Sequence, residues 1–547
     1  MAITKRARRW VSLTFAWAFL SCLTVTPAAL AQSMQQKEGM YRGAKPRPKR
    51  EEKSPTAAQA ARFTARAEAL LGTGPASKGA WGLLIVDEKS GETLYEQNAD
   101  KYFVPASNLK LFTTALALAK LGPDYKFRTT LETRGTLSPE GALTGDLILV
   151  GRGDPNLSNR KFPFELKEEF DGPPEKVLAE LADALVAKGV KKISGDVVGD
   201  DSYFPRERYP SGWEIDDMVW QYGAAISAIV VDDNTVTLML TPGERAGDPV
   251  LSAMAPATPD FTVENDVVTS AAEVKPDLTL TREPGTHLVV VRGTLPAKTT
   301  PRKLVLAVEE PAQHAATLLA ALLAERGVKI VGKTRAVHVM EAPAATAPPR
   351  TVLAEHVSVP LGDAVKLVNK ISQNLHSEML LRAAARQNGL WSTPEDLEKF
   401  PEDFYAAAGI FAGDVVQTDG SGLSRRDLVT PRAVVALLKY AKEQPWFEAY
   451  YASLPVAGED GSLEDRMKRT VAVGKIHAKT GSLEHVRTRS GYAETPGGRR
   501  LIFSFLSNNM GGKNHEATDA LDGLCVAMIE EFNGTPAETE RGHMHPK

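Results

Sequence analysis

The stretch VPASNLK at residues 104–110 is followed at once by the apolar run Leu111–Leu118, and a Gly-Pro pair at Gly122 closes that run. This pattern predicts a helix that begins at Ser107 and ends before Gly122, because an apolar run closed by Gly and Pro is typical of a helix and its stop signal. Ser107 then lies in the first turn, where the helix dipole stabilises developing negative charge. Lys110 lies one turn further on the same face, within reach of the serine hydroxyl.

A lysine at this spacing can act as a base towards the serine. If its amine is removed from water, its pKa falls, so that the amine is neutral near pH 7 and can accept the serine proton. The pattern Ser-x-x-Lys is weak evidence alone, since Ser158-Asn159-Arg160-Lys161 also matches it. We interpret that second copy as a loop, because it follows Asp154-Pro155-Asn156 and runs into Pro163. Ser107–Lys110, the first motif, therefore supplies the candidate nucleophile and base.

Ser372-Gln373-Asn374, the second motif, lies in the segment Gly362–Asn388, which we predict to be helical. A hydroxyl and an amide two residues apart can bridge a proton path and hold a substrate amide. The same Ser-x-Asn spacing recurs at Ser507-Asn508-Asn509, so this motif too is weak when taken alone.

Lys479-Thr480-Gly481-Ser482, the third motif, ends the alternating strand Val473–Ala478. A lysine and a hydroxyl at a strand edge suit a carboxylate, and Gly481 lets a substrate backbone come close. Lys89-Ser90-Gly91 also matches, but it lies in a predicted hairpin turn ahead of every other motif. Each of the three patterns occurs twice, but only one combination places Ser-x-x-Lys first, Ser-x-Asn second and Lys-Thr-Gly third, each in a fitting structural context. The three motifs together are therefore far stronger evidence of function than any one of them.

Composition excludes several classes of protein. The chain has 547 residues, of which 43% are hydrophobic and 24% charged, so it is an ordinary globular chain and not a disordered one. At about 150 residues per domain, this length predicts three to four domains. A formal charge of −3 gives no indication of a nucleic-acid partner. Two cysteines and no H-E-x-x-H pattern argue against a disulfide scaffold or a zinc peptidase, and we predict neither a metal nor a cofactor.

The N-terminus predicts an export signal. Basic residues precede the apolar run Trp10–Val25, and Ala29-Leu30-Ala31 supplies a small-x-small cleavage pattern, so residues 1–31 are predicted to be a signal peptide cut before Gln32. The alternatives are membrane tethering by an uncleaved anchor, for which the run is short, or by a lipid on Cys22. We therefore expect a soluble periplasmic or secreted protein.

Between residues 128 and 355 the sequence changes to short β-patterns with frequent turns. Two units, Pro174–Val198 and Pro311–Val337, each read as a helix, a glycine and a strand, which hints at a duplicated unit. Helical patterns return after residue 356. The predicted organisation is a signal peptide at 1–31, a flexible linker at 32–58, the first segment of a catalytic domain at 59–127, inserted accessory domains at 128–355, the second segment of the catalytic domain at 356–533 and a polar tail at 534–547.

The three motifs in this order resemble those of the penicilloyl-serine transferases. Ser107 and Ser372 are 265 positions apart, which is more than β-lactamases and the simpler D,D-carboxypeptidases use. This spacing resembles the D-alanyl-D-alanine carboxypeptidase/endopeptidase family, the class C low-molecular-mass penicillin-binding proteins, in which domains are inserted between these motifs. Other stretches that resemble the family, within residues 62–533, are Gly145–Leu157, Gly212–Thr235, Asp419–Pro431 and Leu454–Leu463.

The resemblance implies an α+β fold, in which a penicillin-binding transpeptidase/β-lactamase-like core, an antiparallel sheet flanked by helices, is split by a large β-rich insert of one or two domains. It also implies peptidoglycan stem peptides as substrates and β-lactam antibiotics as acylating inhibitors. In the implied mechanism, Ser107 is the acylated nucleophile and Lys110 its general base. Ser372 relays the proton, and Asn374 holds the substrate amide. Lys479 and Thr480, beside Gly481, bind the substrate carboxylate, and the backbone N–H groups of Ser107 and Ser482 form the oxyanion hole.

Two features depart from the family pattern. Gln373 stands where Asp is common, and His485, Arg487 and Arg489 follow the third motif where smaller or neutral side chains are usual. We expect these residues to affect substrate preference near the cleft. Two other functions fit the same residues: a β-lactamase on the same core, which the large insert disfavours, and a non-catalytic cell-wall-binding protein with a vestigial serine site, which the intact motifs disfavour.

Overall fold

The computed structural model describes residues 57–534, apart from 158–159, 166–167, 171, 259–260, 284–285, 342–348 and 513. The predicted signal peptide, nearly all of the predicted linker and all but the first residue of the predicted tail lie outside the described residues. Among the helices that are described, none is long and apolar enough to cross a membrane.

The described part of the chain has eleven α-helices. The first of them includes Ala57 and Ala58, the last two residues of the predicted linker. The helices are α1 (Ala57–Leu71), α2 (Lys110–Leu121), α3 (Lys176–Ala187), α4 (Pro311–Glu325), α5 (Leu361–Lys370), α6 (Asn374–Gln387), α7 (Pro394–Lys399), α8 (Glu402–Ala407), α9 (Pro431–Lys442), α10 (Phe447–Ser453) and α11 (Asn514–Glu531).

The same residues form strands in several sheets. The strands are β1 (Ala80–Asp87), β2 (Thr93–Gln97), β3 (Arg128–Thr133), β4 (Ala142–Leu143), β5 (Leu147–Val150), β6 (Arg160–Glu165), β7 (Glu168–Phe170), β8 (Lys192–Ile193), β9 (Val197–Asp200), β10 (Thr235–Thr241), β11 (Leu251–Ala255), β12 (Thr262–Ser270), β13 (Asp277–Arg282), β14 (Leu288–Pro296), β15 (Arg302–Ala307), β16 (Lys329–Ile330), β17 (Thr334–Val337), β18 (Thr351–Val357), β19 (Val415–Val416), β20 (Leu428–Val429), β21 (Ile476–Leu483), β22 (Val486–Glu494) and β23 (Arg500–Asn508).

An antiparallel sheet of five strands, in the order β2-β1-β23-β22-β21, forms the centre of the core. Successive side chains of a strand point to opposite faces, and β23 buries apolar side chains on both. Phe503 packs with Phe63 of α1 and Leu524 of α11 on one face, whereas Leu506 belongs to the apolar cluster that contains Phe112 of α2 on the other. The predicted antiparallel sheet flanked by helices is thus confirmed, and β21 is its edge strand.

The long segment between the first and second motifs leaves the core and returns to it on neighbouring strands. β3 pairs with β18 in antiparallel register, with Arg128 opposite Val357, and Ser358 N donates to Phe127 O at 3.0 Å. Both strands belong to a second five-stranded sheet, in the order β17-β9-β5-β3-β18. The segment that we predicted to be an insertion therefore begins and ends on neighbouring strands.

The two helix-glycine-strand units form a matched pair. β8 pairs in parallel with β16 and β9 with β17, while apolar residues of α3 and α4 share one buried cluster. Gly189 and Gly327, which closely follow the two helices, have φ of 88° and 81°. Since side chains strain a backbone in this left-handed region, both units need glycine where the helix turns into the strand.

Two three-stranded sheets, β11-β10-β15 and β12-β14-β13, complete the insertion. They enclose their own apolar cluster, which includes Leu238, Val291 and Leu306. The segment is therefore rich in strands, as its short β-patterns predicted.

Two expectations about local structure are wrong. The predicted single helix over Gly362–Asn388 is broken into α5 and α6, because Ser372 has a φ of 64° and a left-handed residue cannot continue a right-handed helix. The second Ser-x-x-Lys copy is not a loop throughout, since Arg160 and Lys161 begin strand β6; Ser158 and Asn159 lie outside the described residues.

Candidate active site

The first motif lies in a short 3₁₀ turn, Ala106–Leu109, that leads directly into α2. Ser107 therefore precedes the α-helix, which begins at Lys110, and the prediction that it lies within the first turn of that helix is wrong. Ala106 has a φ of 48°, which is uncommon for a residue with a side chain. A Cβ on Gly422 would lie 1.9 Å from Ala106 O, so the turn is packed tightly against the loop that contains Gly422.

Lys110 is the centre of the polar contacts. Its Nζ lies 2.9 Å from Ser107 Oγ and donates to Asn374 Oδ1 and to Ser421 O, each at 2.6 Å. The side chain is completely buried, and this burial lowers the pKa of Lys110 to about 7, although nearby carboxylates such as that of Asp419 act in the opposite direction. The amine is thus neutral in a large fraction of molecules near pH 7.

The Ser421 carbonyl is held in place by a carboxylate. Asp419 accepts hydrogen bonds from the backbone N–H groups of Ser421, Gly422 and Ser424 at 2.9, 2.6 and 2.8 Å. Asp419 also accepts a hydrogen bond, at 2.9 Å, from Nε1 of Trp213, a residue of the insertion. Sequence reasoning missed this contact: the residues from Asp419 to Gly422 indicate only a turn, and nothing in a sequence indicates where a backbone carbonyl points.

The second motif occupies the break between α5 and α6. Ser372 Oγ accepts a hydrogen bond from Lys479 Nζ at 2.9 Å. Asn374 begins α6, and while its Oδ1 faces Lys110, its Nδ2 donates to Tyr222 O at 2.8 Å. Tyr222 belongs to the insertion, so that segment contributes a backbone group to the site; its only sequence signal is its place in a family-like stretch.

The third motif lies inside the edge strand β21, which runs from Ile476 to Leu483, so the prediction that the motif ends a strand over Val473–Ala478 is wrong. Lys479 is fully buried, and burial, together with the nearby charge of Lys110, lowers its pKa well below the usual value. Its Nζ also donates to Thr480 O at 2.8 Å, and Thr480 Oγ1 lies 2.6 Å from Ser462 Oγ. Ser482 follows on the same strand with an exposed side chain.

Gly481 brings β21 against the first motif. A Cβ on Gly481 would lie 3.0 Å from Ser107 N, 2.8 Å from Pro105 O and 2.1 Å from Thr488 Oγ1. No side chain fits in that space. The structure thus brings Ser107, Lys110 and Asn374 into one set of direct contacts and Ser372 and Lys479 into another. Gly481 lies beside the backbone of Ser107.

The residues after the third motif do not all face this site. Arg489 is buried and donates to Asp522 Oδ1 of α11 at 2.6 Å, so our expectation that it affects the cleft is wrong: its side chain is engaged with the helix behind the sheet. Arg487 donates to the carbonyls of the adjoining turn, and His485 Nδ1 lies 2.8 Å from Met510 O.

The described residues contain no group of three or more His, Cys, Asp or Glu side chains that could hold a metal ion. The polar contacts of the site are instead made by two lysines, two serines and an asparagine. This set can activate a hydroxyl nucleophile by proton transfer to a neutral amine.

A model of the D-Ala-D-Ala carboxypeptidase 3 (S13) family matches residues 64–527. The chain belongs to this family. A D-alanyl-D-alanine carboxypeptidase of Actinomadura sp. strain R39 is 35% identical over 475 residues, which cover 85% of this chain and 84% of the relative. The D-alanyl-D-alanine carboxypeptidase DacB of Haemophilus influenzae is 27% identical over 440 residues, covering 77% and 84% of the two chains.

A solved structure supports the S13 fold. The crystal structure of penicillin binding protein 4 (dacB) from Haemophilus influenzae matches with a TM-score of 0.72 at 24% identity, covering 86% of this chain and 99% of that one. The predicted α+β fold and the resemblance to the carboxypeptidase/endopeptidase family are both confirmed. The S13 chain is accordingly a serine-type D-Ala-D-Ala carboxypeptidase, as its motifs predicted.

Proposed function

We propose that this chain is an exported serine D,D-carboxypeptidase and D,D-endopeptidase of peptidoglycan, which works through an acyl-enzyme on Ser107. The observation that carries the mechanism is the position of Lys110: its buried Nζ lies 2.9 Å from Ser107 Oγ. The substrates would be D-Ala-D-Ala termini and D-alanyl cross-links of stem peptides.

The contacts of Lys110 fit a general base. A neutral amine has two N–H donors and one lone pair, and two carbonyl-type oxygens, Asn374 Oδ1 and Ser421 O, each accept from Nζ at 2.6 Å. The lone pair then faces the Ser107 hydroxyl, which donates its proton to Nζ as Oγ attacks the carbonyl carbon of the substrate. Backbone N–H groups of Ser107 and Ser482 would stabilise the resulting oxyanion, typically by about 3 kcal/mol per donor.

The other two motifs would complete the cycle. Ser372 would relay the proton to the leaving D-alanine amine, and the second N–H of the Asn374 amide would hold the substrate amide. Lys479 and Thr480 would bind the terminal carboxylate. Although burial lowers the pKa of Lys479, the negative charge of a bound carboxylate favours the ammonium form, and the ammonium and hydroxyl groups then form charge-assisted hydrogen bonds to it. Water would then hydrolyse the acyl-enzyme and release the shortened peptide.

Penicillin sensitivity follows from the same chemistry. A β-lactam presents a strained amide beside a carboxylate, so it would acylate Ser107 as the substrate does, and the H. influenzae structural relative is named a penicillin-binding protein. Export is supported by the basic start, the apolar run and the small-x-small pattern of residues 1–31.

Labelling with a fluorescent penicillin tests the proposal. The wild-type protein should be labelled and Ser107→Ala should not, whereas Ser158→Ala, a matched change at the other Ser-x-x-Lys copy, should be labelled like the wild type. Analysis of muropeptides after incubation should show loss of terminal D-alanine and of D-alanyl cross-links. Undiminished labelling of Ser107→Ala, or fast and complete turnover of nitrocefin, would contradict the proposal.

A further inference from the structure

Asp233, in the insertion, contacts the second motif through Gln373. Its Oδ2 accepts from Gln373 Nε2 at 3.0 Å, and its Oδ1 lies 2.9 Å from His376 Nε2. Arg160 Nε donates to the same Oδ2 at 3.1 Å. The carboxylate is 6% exposed and His376 1%, so these contacts are shielded from water. One buried acid thus holds two residues of the turn from which α6 begins.

The same segment of the insertion reaches the second motif at another point. Asn234, the neighbour of Asp233, donates from Nδ2 to Ala225 O at 3.0 Å. Ala225 is three residues after Tyr222, whose carbonyl accepts from Asn374 Nδ2 at 2.8 Å. The two contacts with the second motif, one through Asp233 and one through Tyr222, are therefore fixed relative to each other.

The backbone around Asp233 is strained. Asp232, Asp233 and Asn234 have φ of 49°, 50° and 56°, three consecutive residues with side chains in the left-handed region. Such conformations are costly and persist where the surroundings hold them, often beside functional sites. Although burial acts to raise it, the charges of Arg160 and His376 lower the pKa of Asp233 below its ordinary value, so the carboxylate is ionised.

Gln373 offers this carboxylate a neutral hydrogen-bond donor. Its Oε1 accepts from Leu375 N at 2.8 Å and caps α6, while its Nε2 donates to Asp233. An aspartate or glutamate at position 373 would face Asp233 with a like charge. A neutral amide at position 373 thus has a physical reason in this chain.

We propose that Asp233 is a positioning residue of the serine site: through Gln373 and His376 it fixes the turn that carries Ser372 and Asn374 against the two lysines. This inference rests on the proposed acyl-enzyme, because it concerns the rate at which Ser107 is acylated. It means that the insertion contributes to the reaction. It also means that Gln373 binds the insertion and does not bind the substrate.

The test is a reciprocal pair of substitutions. Gln373→Glu places two carboxylates together and should slow acylation by fluorescent penicillin about 100-fold, since small displacements of reacting groups have effects of this size. Asp233→Asn should slow it about 10-fold. In the double variant the new amide at position 233 can donate to the new carboxylate at position 373, and Arg160 again faces a carboxylate, so the rate should return to within about threefold of wild type.

Control measurements separate positioning from folding. Rates are compared per folded molecule, with the unfolding midpoint of each variant measured alongside. Glu207→Gln, which removes another insertion carboxylate that pairs with Arg382 of α6 at 2.9 Å, should leave the rate within about twofold of wild type. For a peptide substrate, kcat should fall in Gln373→Glu with little change in KM.

Distinct outcomes would overturn the two proposals. If wild-type protein is not labelled at Ser107, the proposed function fails. If wild type is labelled but Gln373→Glu reacts at the wild-type rate, or if the double variant is no faster than Gln373→Glu, the positioning role of Asp233 is wrong.

Discussion

Asn108 Nδ2 donates a hydrogen bond to the backbone carbonyl of Lys479 at 3.1 Å, and this contact joins the residue after the candidate nucleophile to the third motif. The two residues are 371 positions apart in the chain, and both are completely buried. The distance between Ser107 and the edge strand β21 is therefore fixed by a side chain that has no direct role in the proposed chemistry.

Asn108→Ala should reduce both stability and reactivity. The substitution leaves the Lys479 carbonyl without this donor and should lower the free energy of unfolding by about 1–2 kcal/mol. Because β21 is then free to move from Ser107, acylation by penicillin should slow about 10-fold. Thermal unfolding and a labelling time course measure the two effects; unchanged labelling would show that the contact has no role in positioning.

The rate of acylation should depend on the protonation of Lys110. Since burial lowers the pKa of Lys110 to about 7, the amine is protonated below that pH and neutral above it. The acylation rate should rise about tenfold per pH unit well below pH 7 and level off above it. Lys110→Arg, which stays protonated, should remain inactive at every pH. A flat wild-type profile between about pH 5 and 9 would contradict a base with this pKa.

Lys479→Gln should weaken the binding of a substrate carboxylate. The loss of one charge-assisted hydrogen bond costs about 2 kcal/mol, so KM for a D-Ala-D-Ala peptide should rise about 30-fold. A peptide with an amidated C-terminus should be affected much less, because it offers no negative charge. Lys475→Gln, four positions earlier and exposed, is the matched control. Equal losses on both peptides would argue against this role.

Gly481→Ala should abolish rapid acylation. Its Cβ would lie 2.8 Å from Pro105 O and 3.0 Å from Ser107 N, so β21 or the first motif must move. Gly511→Ala, where a Cβ would meet no atom within 4 Å, should behave like wild type. Fluorescent-penicillin labelling compares the two variants. A Gly481→Ala protein that is labelled at the wild-type rate would refute the close approach.

Arg489→Ala should affect stability and not the reaction. The guanidinium is buried against Asp522 and Cys525, so its removal should cost about 3 kcal/mol of unfolding free energy. The labelling rate per folded molecule should stay within about twofold of wild type. Arg62→Ala, which removes an exposed pair with Glu531, should cost less than about 1 kcal/mol. A large change in the labelling rate would mean that Arg489 acts on the cleft after all.

The three motifs and the core around them could be predicted because their signals are local. The hairpin formed by β1 and β2, helix α9 and the paired insertion units all follow from apolar periodicity and from glycine positions. The helix break at Ser372 was not predictable, because its cause is tertiary: the residue is held in a left-handed conformation between two packed helices.

Contacts between segments that are distant in the chain could not be predicted from the sequence either. The Ser421 carbonyl, 311 positions after Lys110, is a backbone group with no residue-type signal. Asp233 lies in a stretch that resembles the family, yet its carboxylate meets the site only through residues such as Gln373, far along the chain. The orientation of Arg489 depends on which face of β22 meets α11, and the sequence of a strand buried on both faces does not specify that.

The pairing of β1 with β23 also sets the order of events during synthesis. Residues 80–87 pair with residues 500–508 inside the core sheet, so β1 has no strand on that side until residues 500–508 have been made. The insertion, which begins and ends on the paired strands β3 and β18, can fold earlier. We expect Ser107 to remain inert in the nascent chain and to become reactive only when β22 and β23 have joined the core sheet.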